Sequence, residues 1–507
     1  MKASDLDKLT TLSNINISNS DLMLSATRMS FEKNTYIQEI WRYSNNEWKK
    51  FKGAESKNFL NPKYSDDKKY LSFVEVEKGK KPKQTIVVKK GNSLDRIFKT
   101  SGSIHNYIWS KSGKFLYITV GDWDENFEKV EDKQDEPFYL ENIPHKFDTR
   151  GVIFNKRNHI YKVNIETGKS SKIINGDKEN FISIGSVVEH AGQLYFTANV
   201  YNDMGTMLEE RIIKKDSKGL DIIHSGGMWG KLFSFKGKLY GIGLKNRFDW
   251  PTTTNIYELS DSGRAKEIDT VFDKTIVDVK TTEENMYALY EDSGKQLIAK
   301  NTNNGLENLF DEDITITDFA IQKNEIFFLA NSFTKSDEVF KYSESGIEKI
   351  SKTNDSFHKK VSSYSFTYKR FDTGKSKVDT WGIFVGKDRP TLLNIHGGPA
   401  SQYGFTYFDE FQVYAEAGFN VVACNPRGST GRGHKYLRDV CGNKWGVSDV
   451  HDVLSVFKQM LKELKITNKD YGIMGGSYGG FMTSWIIGNH PKIFKSAIVE
   501  RALINWE

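Results

Sequence analysis

Residues 471–480 read YGIMGGSYGG, and this stretch is the strongest structural signal in the C-terminal part of the 507-residue chain. An apolar segment of strand character leads into the glycines, and a helical pattern over residues 481–489 follows them. Gly475, Ser477 and Gly479 match G-x-S-x-G, a strained strand-to-helix turn that lifts a serine hydroxyl out of the backbone. Glycine is needed on both sides because the neighbouring chain passes too close for a β-carbon. The stretch therefore predicts Ser477 as a nucleophile, and the alternative is a tight structural turn.

A second glycine motif lies upstream, where His396-Gly397-Gly398-Pro399 directly follows a short apolar strand at residues 391–395. Both motifs come at the C-terminal ends of predicted strands, where an open α/β sheet builds its site. In α/β hydrolases the oxyanion hole combines an N–H of such a loop with the N–H of the residue after the nucleophile. We therefore predict the amides of Gly398 and Tyr478 as the oxyanion donors.

The segments around these motifs alternate between strands and helices. Residues 361–370 and 378–385 are predicted as two strands, and residues 391–395 and 419–424 as continuous apolar strands of the parallel-sheet type. Residues 449–464 carry apolar side chains at helical spacing, with Ser448 as the predicted cap. This alternation predicts a doubly wound α/β domain that begins at about residue 355.

The preceding part, from about residue 15 to residue 350, contains two alternating landmarks, each of which occurs seven times. The first is a polar turn before an apolar pair, at residues 22–23, 70–71, 115–116, 194–195, 239–240, 286–287 and 326–327. The second is a strand that runs into a turn, at residues 40–41, 86–87, 160–161, 212–213, 256–257, 297–298 and 339–340. A period of about 40 to 50 residues with several short strands is typical of propeller blades. The pattern predicts a seven-bladed β-propeller, with antiparallel sandwich domains as the alternative.

One repeat is longer than the others because of an insertion at residues 121–151, which is rich in acidic and aromatic residues. It is interpreted as a solvated loop, or alternatively as a rim element that faces the second domain or the substrate.

Composition limits the classes of function. The 72 Lys and Arg residues against 66 Asp and Glu give a formal net charge of +6, which does not single out nucleic acid as a partner. No apolar run approaches the roughly 18 residues of a membrane span, and the N-terminus lacks the apolar core of a signal peptide. The two cysteines, Cys424 and Cys441, offer no disulfide framework, which favours a cytoplasmic location. The sequence shows no metal-ligand cluster and no phosphate-binding glycine loop, so no cofactor or metal is expected.

Three motifs together carry a resemblance: residues 396–399 (HGGP), residues 425–431 (NPRGSTG) and residues 475–480 (GGSYGG). With Trp445-Gly446, Asp449 and Asp452, they resemble the prolyl oligopeptidase family of serine peptidases, and most closely its acylaminoacyl-peptidase and bacterial dipeptidyl-peptidase branch. The resemblance spans the chain, since that family places a seven-bladed propeller before its hydrolase domain. It implies that residues 1–354 are the propeller, that residues 355–507 are the peptidase domain, and that Ser477 is the nucleophile. It also implies short peptides as substrates, because the propeller restricts access to the site.

The chain departs from this pattern after the serine. In this hydrolase order the acid and the histidine follow the nucleophile. Residues 478–507 contain no Asp, and their single histidine, His490, lies about 20 Å along a predicted helix from Ser477. His396, His434 and His451 lie upstream, but the oxyanion loop and a helix face account for the first and the last. We therefore expect a C-terminally incomplete hydrolase domain that lacks its triad acid and base and is inactive as given.

Other residues have plainer interpretations. Arg427 either holds a substrate oxygen or tethers its own loop, and the tether is favoured. Asp449 and Asp452 lie in the first helical turn, where a negative charge suits the helix dipole. Two other functions stay open: a non-catalytic propeller that binds peptides, and a carboxylesterase-like hydrolase. The sequence does not decide the oligomeric state.

Overall fold

The computed structural model describes residues 1–18, 21–79, 82–123, 139–147 and 151–504. Most of the predicted insertion, at residues 124–138 and 148–150, lies outside this described part. A 3₁₀ turn at Ala3–Lys8 opens the chain, and antiparallel sheets follow it.

The first two sheets have four strands each, in chain order. They contain β1 (Thr10–Ser18), β2 (Asp21–Ser30), β3 (Thr35–Ser44) and β4 (Glu47–Lys52), then β5 (Lys57–Tyr64), β6 (Leu71–Glu77), β7 (Gln84–Lys90) and β8 (Ser93–Thr100). The next segment contributes β9 (Ser103–Trp109), β10 (Phe115–Trp123), a separate pair β11 (Lys146–Phe147) and β12 (Gly151–Val152), then β13 (Lys156–Asn164) and β14 (Ser170–Ile174). Strands β9, β10, β13 and β14 form the third sheet, and the short helix α1 (Gly176–Glu179) follows.

The following strands form two longer sheets. One contains β15 (Ser183–His190), β16 (Gln193–Tyr201), β17 (Leu208–Lys215), β18 (Leu220–Phe235), β19 (Lys238–Leu244), β20 (Asn255–Leu259) and β21 (Ala265–Glu267), with a 3₁₀ turn at Arg247–Asp249. The other contains β22 (Thr275–Thr281), β23 (Met286–Asp292), β24 (Lys295–Thr302), β25 (Gly305–Asn308), β26 (Thr315–Gln322), β27 (Glu325–Ser332), β28 (Lys335–Ser343) and β29 (Gly346–Lys349).

Each longer sheet consists of two four-stranded antiparallel units. The first half of β18 pairs with β17 and its second half, from Met228, pairs with β19. In the other sheet a single parallel pair, Gln296 and Thr315, joins the unit that begins with β22 to the unit that begins with β26. The apolar pairs of the first sequence landmark lie in or beside the second strand of a unit, and those of the second landmark lie in the third strand.

Neighbouring units pack face to face around a common axis. Met23 of β2 packs with Phe73 of β6, and similar cores join the consecutive units along the chain. Leu24 of β2 packs with Leu329 of β27, so the last unit closes onto the first. The middle strands are buried on both faces by this packing, which explains why they are continuously apolar rather than alternating. The first strands lie nearest the axis, since β1 contacts both β5 and β26. The array is a β-propeller.

The C-terminal part is a doubly wound α/β domain. Its elements are α2 (Asp355–Lys360), β30 (Phe366–Asp372), β31 (Lys377–Ile383), β32 (Thr391–Ile395), α3 (Asp409–Glu416), β33 (Asn420–Asn425), α4 (His434–Arg438), α5 (Ser448–Glu463), β34 (Tyr471–Gly476), α6 (Tyr478–Asn489) and β35 (Ser496–Glu500). The sheet order is β30-β31-β33-β32-β34-β35, and the last four strands of this order are parallel. Helices α5 and α6 pack on one face, and α3 packs on the other. The predicted cap Ser448 is wrong: Val447 holds the cap position, because the Ser448 hydroxyl is turned to the carbonyl of Asp439 at 3.4 Å.

The two parts contact each other along one side of the propeller. The turn between β23 and β24 places Gly294 against Trp381 and the backbone of Gly404. Its carbonyl accepts the N–H of Phe405 at 2.7 Å, and its N–H donates to the Gln402 side chain at 2.9 Å. These contacts fix the α/β domain over the propeller face that bears this turn.

Candidate active site

Ser477 is the single residue between β34 and α6. Its backbone has φ +58° and ψ −119°, a conformation in which a side chain is strained, and the residue is exposed. Non-glycine residues hold such dihedrals only where the surrounding structure enforces them, and this occurs mainly at functional sites. The serine hydroxyl therefore projects from a sharp strand-to-helix turn.

The glycines beside Ser477 have no room for a side chain. A β-carbon on Gly475 would lie 2.5 Å from the backbone of Gly479, and one on Gly479 would lie 2.1 Å from the carbonyl oxygen of Ile395. Real β-carbon contacts are longer than 3.0 Å. The turn therefore presses α6 against the end of β32, which leads into the upstream glycine motif.

That motif lies directly beside the serine. A β-carbon on Gly397 would lie 3.5 Å from Cβ of Ser477, and Gly398 has φ +128°, in the region that favours glycine. Tyr478 is the first residue of α6, and its N–H is one of the helix N-terminal donors that have no intrahelical acceptor. The fold thus brings the three predicted residues, Ser477, Gly398 and Tyr478, into one small region, and Gly397 makes the approach to the serine.

The side chain of Tyr478 has a structural role that is separate from that of its backbone N–H. It is buried, it contacts the Trp445 ring at 5.1 Å, and its hydroxyl donates a hydrogen bond to Asp449. The Asp449 carboxylate also accepts the N–H of Gly446 at 3.2 Å and that of Val450 at 2.8 Å. Burial raises the pKa of Asp449, and the tyrosine hydroxyl lowers it in part. The sequence placed Asp449 at a helix start but did not reveal that it anchors the first residue of α6.

Arg427 is a tether. Its Nε donates to Asp452 at 2.8 Å and its Nη1 to Asp439 at 3.0 Å. The buried carboxylate of Asp452 also accepts the hydroxyls of Thr373 and Ser376. The guanidinium therefore holds the loop that follows β33 to these two carboxylates.

The histidines of the α/β domain do not pair with the serine in the described part of the chain. The buried His396 lies 2.6 Å by Nδ1 from the carbonyl of Gly397 and 2.9 Å by Nε2 from the Ser429 hydroxyl, and burial lowers its pKa. His434 bonds Thr252 of the propeller, and the exposed His451 lies 3.6 Å from Asp452. His490 follows the last residue of α6. In the described part of the chain, no histidine forms a hydrogen bond with the Ser477 hydroxyl.

A cavity of about 620 Å³ lies between the two parts of the molecule. On the α/β side it is lined by Ala400, next to the HGGP loop, and by Thr430. On the propeller side its lining includes Glu210 and Trp229, whose buried indole N–H makes no hydrogen bond to any described residue. Burial raises the pKa of Glu210 to about 7, while its carboxylate accepts the backbone N–H of Trp229 at 2.5 Å. The cavity is therefore an open cleft with a mainly apolar lining and a few polar groups, as in ligand pockets.

The described ranges contain no group of three His, Cys, Asp or Glu side chains that would hold a metal ion. Their helices are all too short or too polar to cross a membrane.

The sequence of residues 405–507 matches the profile of the Prolyl oligopeptidase family. The match covers about the last fifth of the chain and includes the serine turn. A segment of 118 residues is 48% identical to the uncharacterized peptidase YuxL of Bacillus subtilis (strain 168), covering 23% of this chain and 18% of that protein. A segment of 134 residues is 35% identical to acylamino-acid-releasing enzyme 1 of Oryza sativa subsp. japonica, covering 26% of this chain and 17% of that protein. The matched family and these relatives are peptidases, and each alignment spans less than a fifth of the relative's length.

The structural similarity extends over nearly the whole chain. The Pyrococcus horikoshii acylaminoacyl peptidase superposes with a TM-score of 0.84 over 99% of this chain and 79% of that chain, at 18% identity. The architecture of a propeller followed by a hydrolase domain is therefore shared with acylaminoacyl peptidases.

Proposed function

We propose that this chain is a serine-type peptidase that cleaves short peptides through an acyl-enzyme on Ser477. One observation carries the proposal: the strained, exposed Ser477 projects beside a glycine loop whose Gly397 would place a β-carbon 3.5 Å from it. The amides of Gly398 and Tyr478 would hold the oxyanion. Fixed donors of this kind lower an acyl-transfer barrier by about 3 kcal/mol each.

We further propose a division into a seven-bladed propeller at residues 1–354 and a hydrolase domain from residue 355. The closure of the last unit onto the first supports a complete ring, and the helix Asp355–Lys360 marks the change to α/β structure. A propeller placed over the cavity would admit short peptides and exclude folded proteins. In this proposal, short peptides are the partners of the chain and the location is cytoplasmic.

Efficient acyl transfer also needs a general base, since an unassisted serine hydroxyl is a poor nucleophile. No histidine of the described ranges forms a hydrogen bond with the Ser477 hydroxyl, so we infer that the 507-residue chain alone acylates slowly. The same observation favours a second candidate function, a propeller module that binds peptides without cleaving them. A residual rate from the oxyanion donors and binding alone is expected for the peptidase proposal.

Fluorophosphonate labelling of the purified chain tests the proposal, with Ser477→Ala as the matched control and circular dichroism to show that both are folded. Slow, Ser477-dependent labelling supports the peptidase assignment, and a panel of peptide and ester substrates then separates peptidase from carboxylesterase. The absence of labelling in folded protein would overturn it and leave the binding module. Rapid labelling would show that a base reaches the serine and would overturn the inference of slow acylation.

A further inference from the structure

The first strands of the propeller carry a repeated contact between neighbouring units that involves lysine side chains. Lys231 Nζ of β18 donates to the Asp278 carboxylate at 2.7 Å and to the carbonyl of Val279 at 2.8 Å. Lys280 Nζ of β22 makes the same pair of bonds with the next first strand, to Asp318 at 2.5 Å and to the carbonyl of Phe319. Each ammonium thus bonds the side chain of one residue and the carbonyl of the residue that follows it.

Lys63 of β5 repeats this geometry with one chemical difference. Its Nζ donates to the Asn106 side-chain oxygen at 2.9 Å and to the carbonyl of Tyr107 at 2.7 Å. Asn106 stands where Asp278 and Asp318 stand in the other two contacts, but it carries no charge. In these three contacts between described residues, the lysines are therefore matched by two carboxylates, and the positive charge that has no carboxylate beside it is that of Lys63.

All three lysines lie on first strands, the strands nearest the propeller axis. Lys63 lies on β5 in the second unit of the ring, while Lys231 and Lys280 lie on β18 and β22 in the fifth and sixth units. Burial, together with the positive charges of Lys231 and Lys280, lowers the pKa of Lys63 to about 8, while Asp318 acts in the other direction. At pH 7 the ammonium is still mostly charged. Lys63 is half-buried, and a charge partly withdrawn from water without an opposite charge beside it is costly, so an ion that supplies that charge would bind there favourably.

We propose that the axial channel of the propeller binds a small monovalent anion, a halide or a carboxylate, at the Lys63 ammonium. The anion supplies the negative charge that Asn106 lacks, within the field of the three converging lysines. This site lies apart from Ser477 and does not depend on the proposed peptidase activity.

The matched pair of proteins for the test is the wild type and Asn106→Asp, which installs the missing carboxylate in the existing geometry. Thermal unfolding is followed at pH 7 in sodium chloride from 10 to 300 mM, and separately in sodium acetate. For a dissociation constant near 20 mM, the wild-type Tm rises by about 2 °C more than that of Asn106→Asp over this range. General salt effects act on both proteins and cancel in the difference. Chloride dependence would identify a halide site, and dependence on acetate alone a carboxylate site.

Lys63→Met provides a second variant if Asn106→Asp folds poorly, and it is expected to lose the anion dependence as well. Crystals soaked in sodium bromide give a direct test, with an anomalous peak within about 3.5 Å of Lys63 Nζ in the wild type and none in Asn106→Asp. Equal salt dependence in all folded proteins, together with no bromide peak on the axis, would overturn the proposal.

Discussion

The β-carbon that Gly479 lacks would lie 2.1 Å from the carbonyl oxygen of Ile395. Gly479 is the second residue of α6, and Ile395 is the last residue of the strand that leads into the HGGP loop. This close approach is the reason why the serine turn and the glycine loop, 80 residues apart in sequence, form one site. A side chain at this position would separate the two motifs.

We therefore expect Gly479→Ala to destabilise the α/β domain by several kcal/mol, because backbone atoms on both sides must move. Gly488→Ala in the same helix is the control, since a β-carbon there meets nothing within 4 Å. Removing a glycine from that open helical position is expected to stabilise by about 0.5–1 kcal/mol. Urea unfolding followed by circular dichroism measures both, and equal effects of the two substitutions would contradict the steric argument.

Removal of the Tyr478 hydroxyl is expected to cause a pH-dependent loss of stability. Tyr478→Phe removes a donor from the buried Asp449 carboxylate, and we expect a loss of about 1–3 kcal/mol at neutral pH. Burial already raises the folded-state pKa of Asp449 above its ordinary value, and the substitution raises it further. The deficit therefore grows as the pH rises through that raised pKa. It is smallest at low pH, where the folded-state carboxyl is protonated with or without the tyrosine hydroxyl.

Urea unfolding at pH 3.5 and pH 7 measures this difference. Tyr471→Phe is the control, because that ring packs on Phe457 at 5.4 Å and its hydroxyl makes no hydrogen bond within the described residues. A deficit of the same size at both pH values would show that Tyr478 acts through packing alone.

Ionisation of Glu210, which lines the cavity, is expected to cause a second pH dependence of stability. Its folded-state pKa is raised to about 7 from a reference value of 4.5, mainly by burial. Stability from the protonated carboxyl is fully present below pH 4.5 and is lost as the pH rises towards 7. Glu210→Gln keeps an oxygen for the Trp229 N–H but cannot ionise, so it is expected to gain on the order of 3 kcal/mol relative to wild type between pH 4.5 and pH 8. The free energy of unfolding of wild type and of Glu210→Gln, measured across this pH range, checks the gain. Parallel pH profiles of the two proteins would rule out ionisation of Glu210 as the source of the gain.

Local patterns predicted the elements of this fold well. The paired residues Leu22-Met23 and Ile40-Trp41, and their counterparts along the chain, lie in or beside the second and third strands of the units, because strands buried on both faces must be apolar throughout. The serine turn was predictable for a similar reason, since glycine spacing reports a local backbone constraint. Ser448 shows the limit of such reasoning: a residue with good capping chemistry was drawn instead towards Asp439, a neighbour that only the tertiary fold supplies.

Contacts between distant segments were not predictable from a single sequence. The position of Asp449 at the start of a helix is the same whether or not a tyrosine hydroxyl bonds its carboxylate. For Tyr478, the sequence predicted a role for the backbone amide only. The lysines on the propeller axis are also separated by long stretches of chain. Nothing in the sequence distinguishes Lys63 from a surface lysine, because its hydrogen bond with Asn106 exists only in the folded chain. The charge balance of such a site depends on which strands become neighbours.

The junction between the two parts of the molecule gives the last prediction. Gly294 has φ +84° and packs on Trp381, where a β-carbon would lie 2.6 Å from the indole ring. Gly374 has a similar φ of +75°, but a β-carbon there meets nothing within 4 Å, so Gly374→Ala reports the backbone strain alone, about 1–2 kcal/mol. Gly294→Ala adds the displacement of Trp381 and is expected to weaken the docking of the α/β domain on the propeller. Calorimetry should then resolve two unfolding transitions in Gly294→Ala and a single, slightly lowered one in Gly374→Ala. The same profile for both variants would mean that the turn at Gly294 does not hold the two parts together.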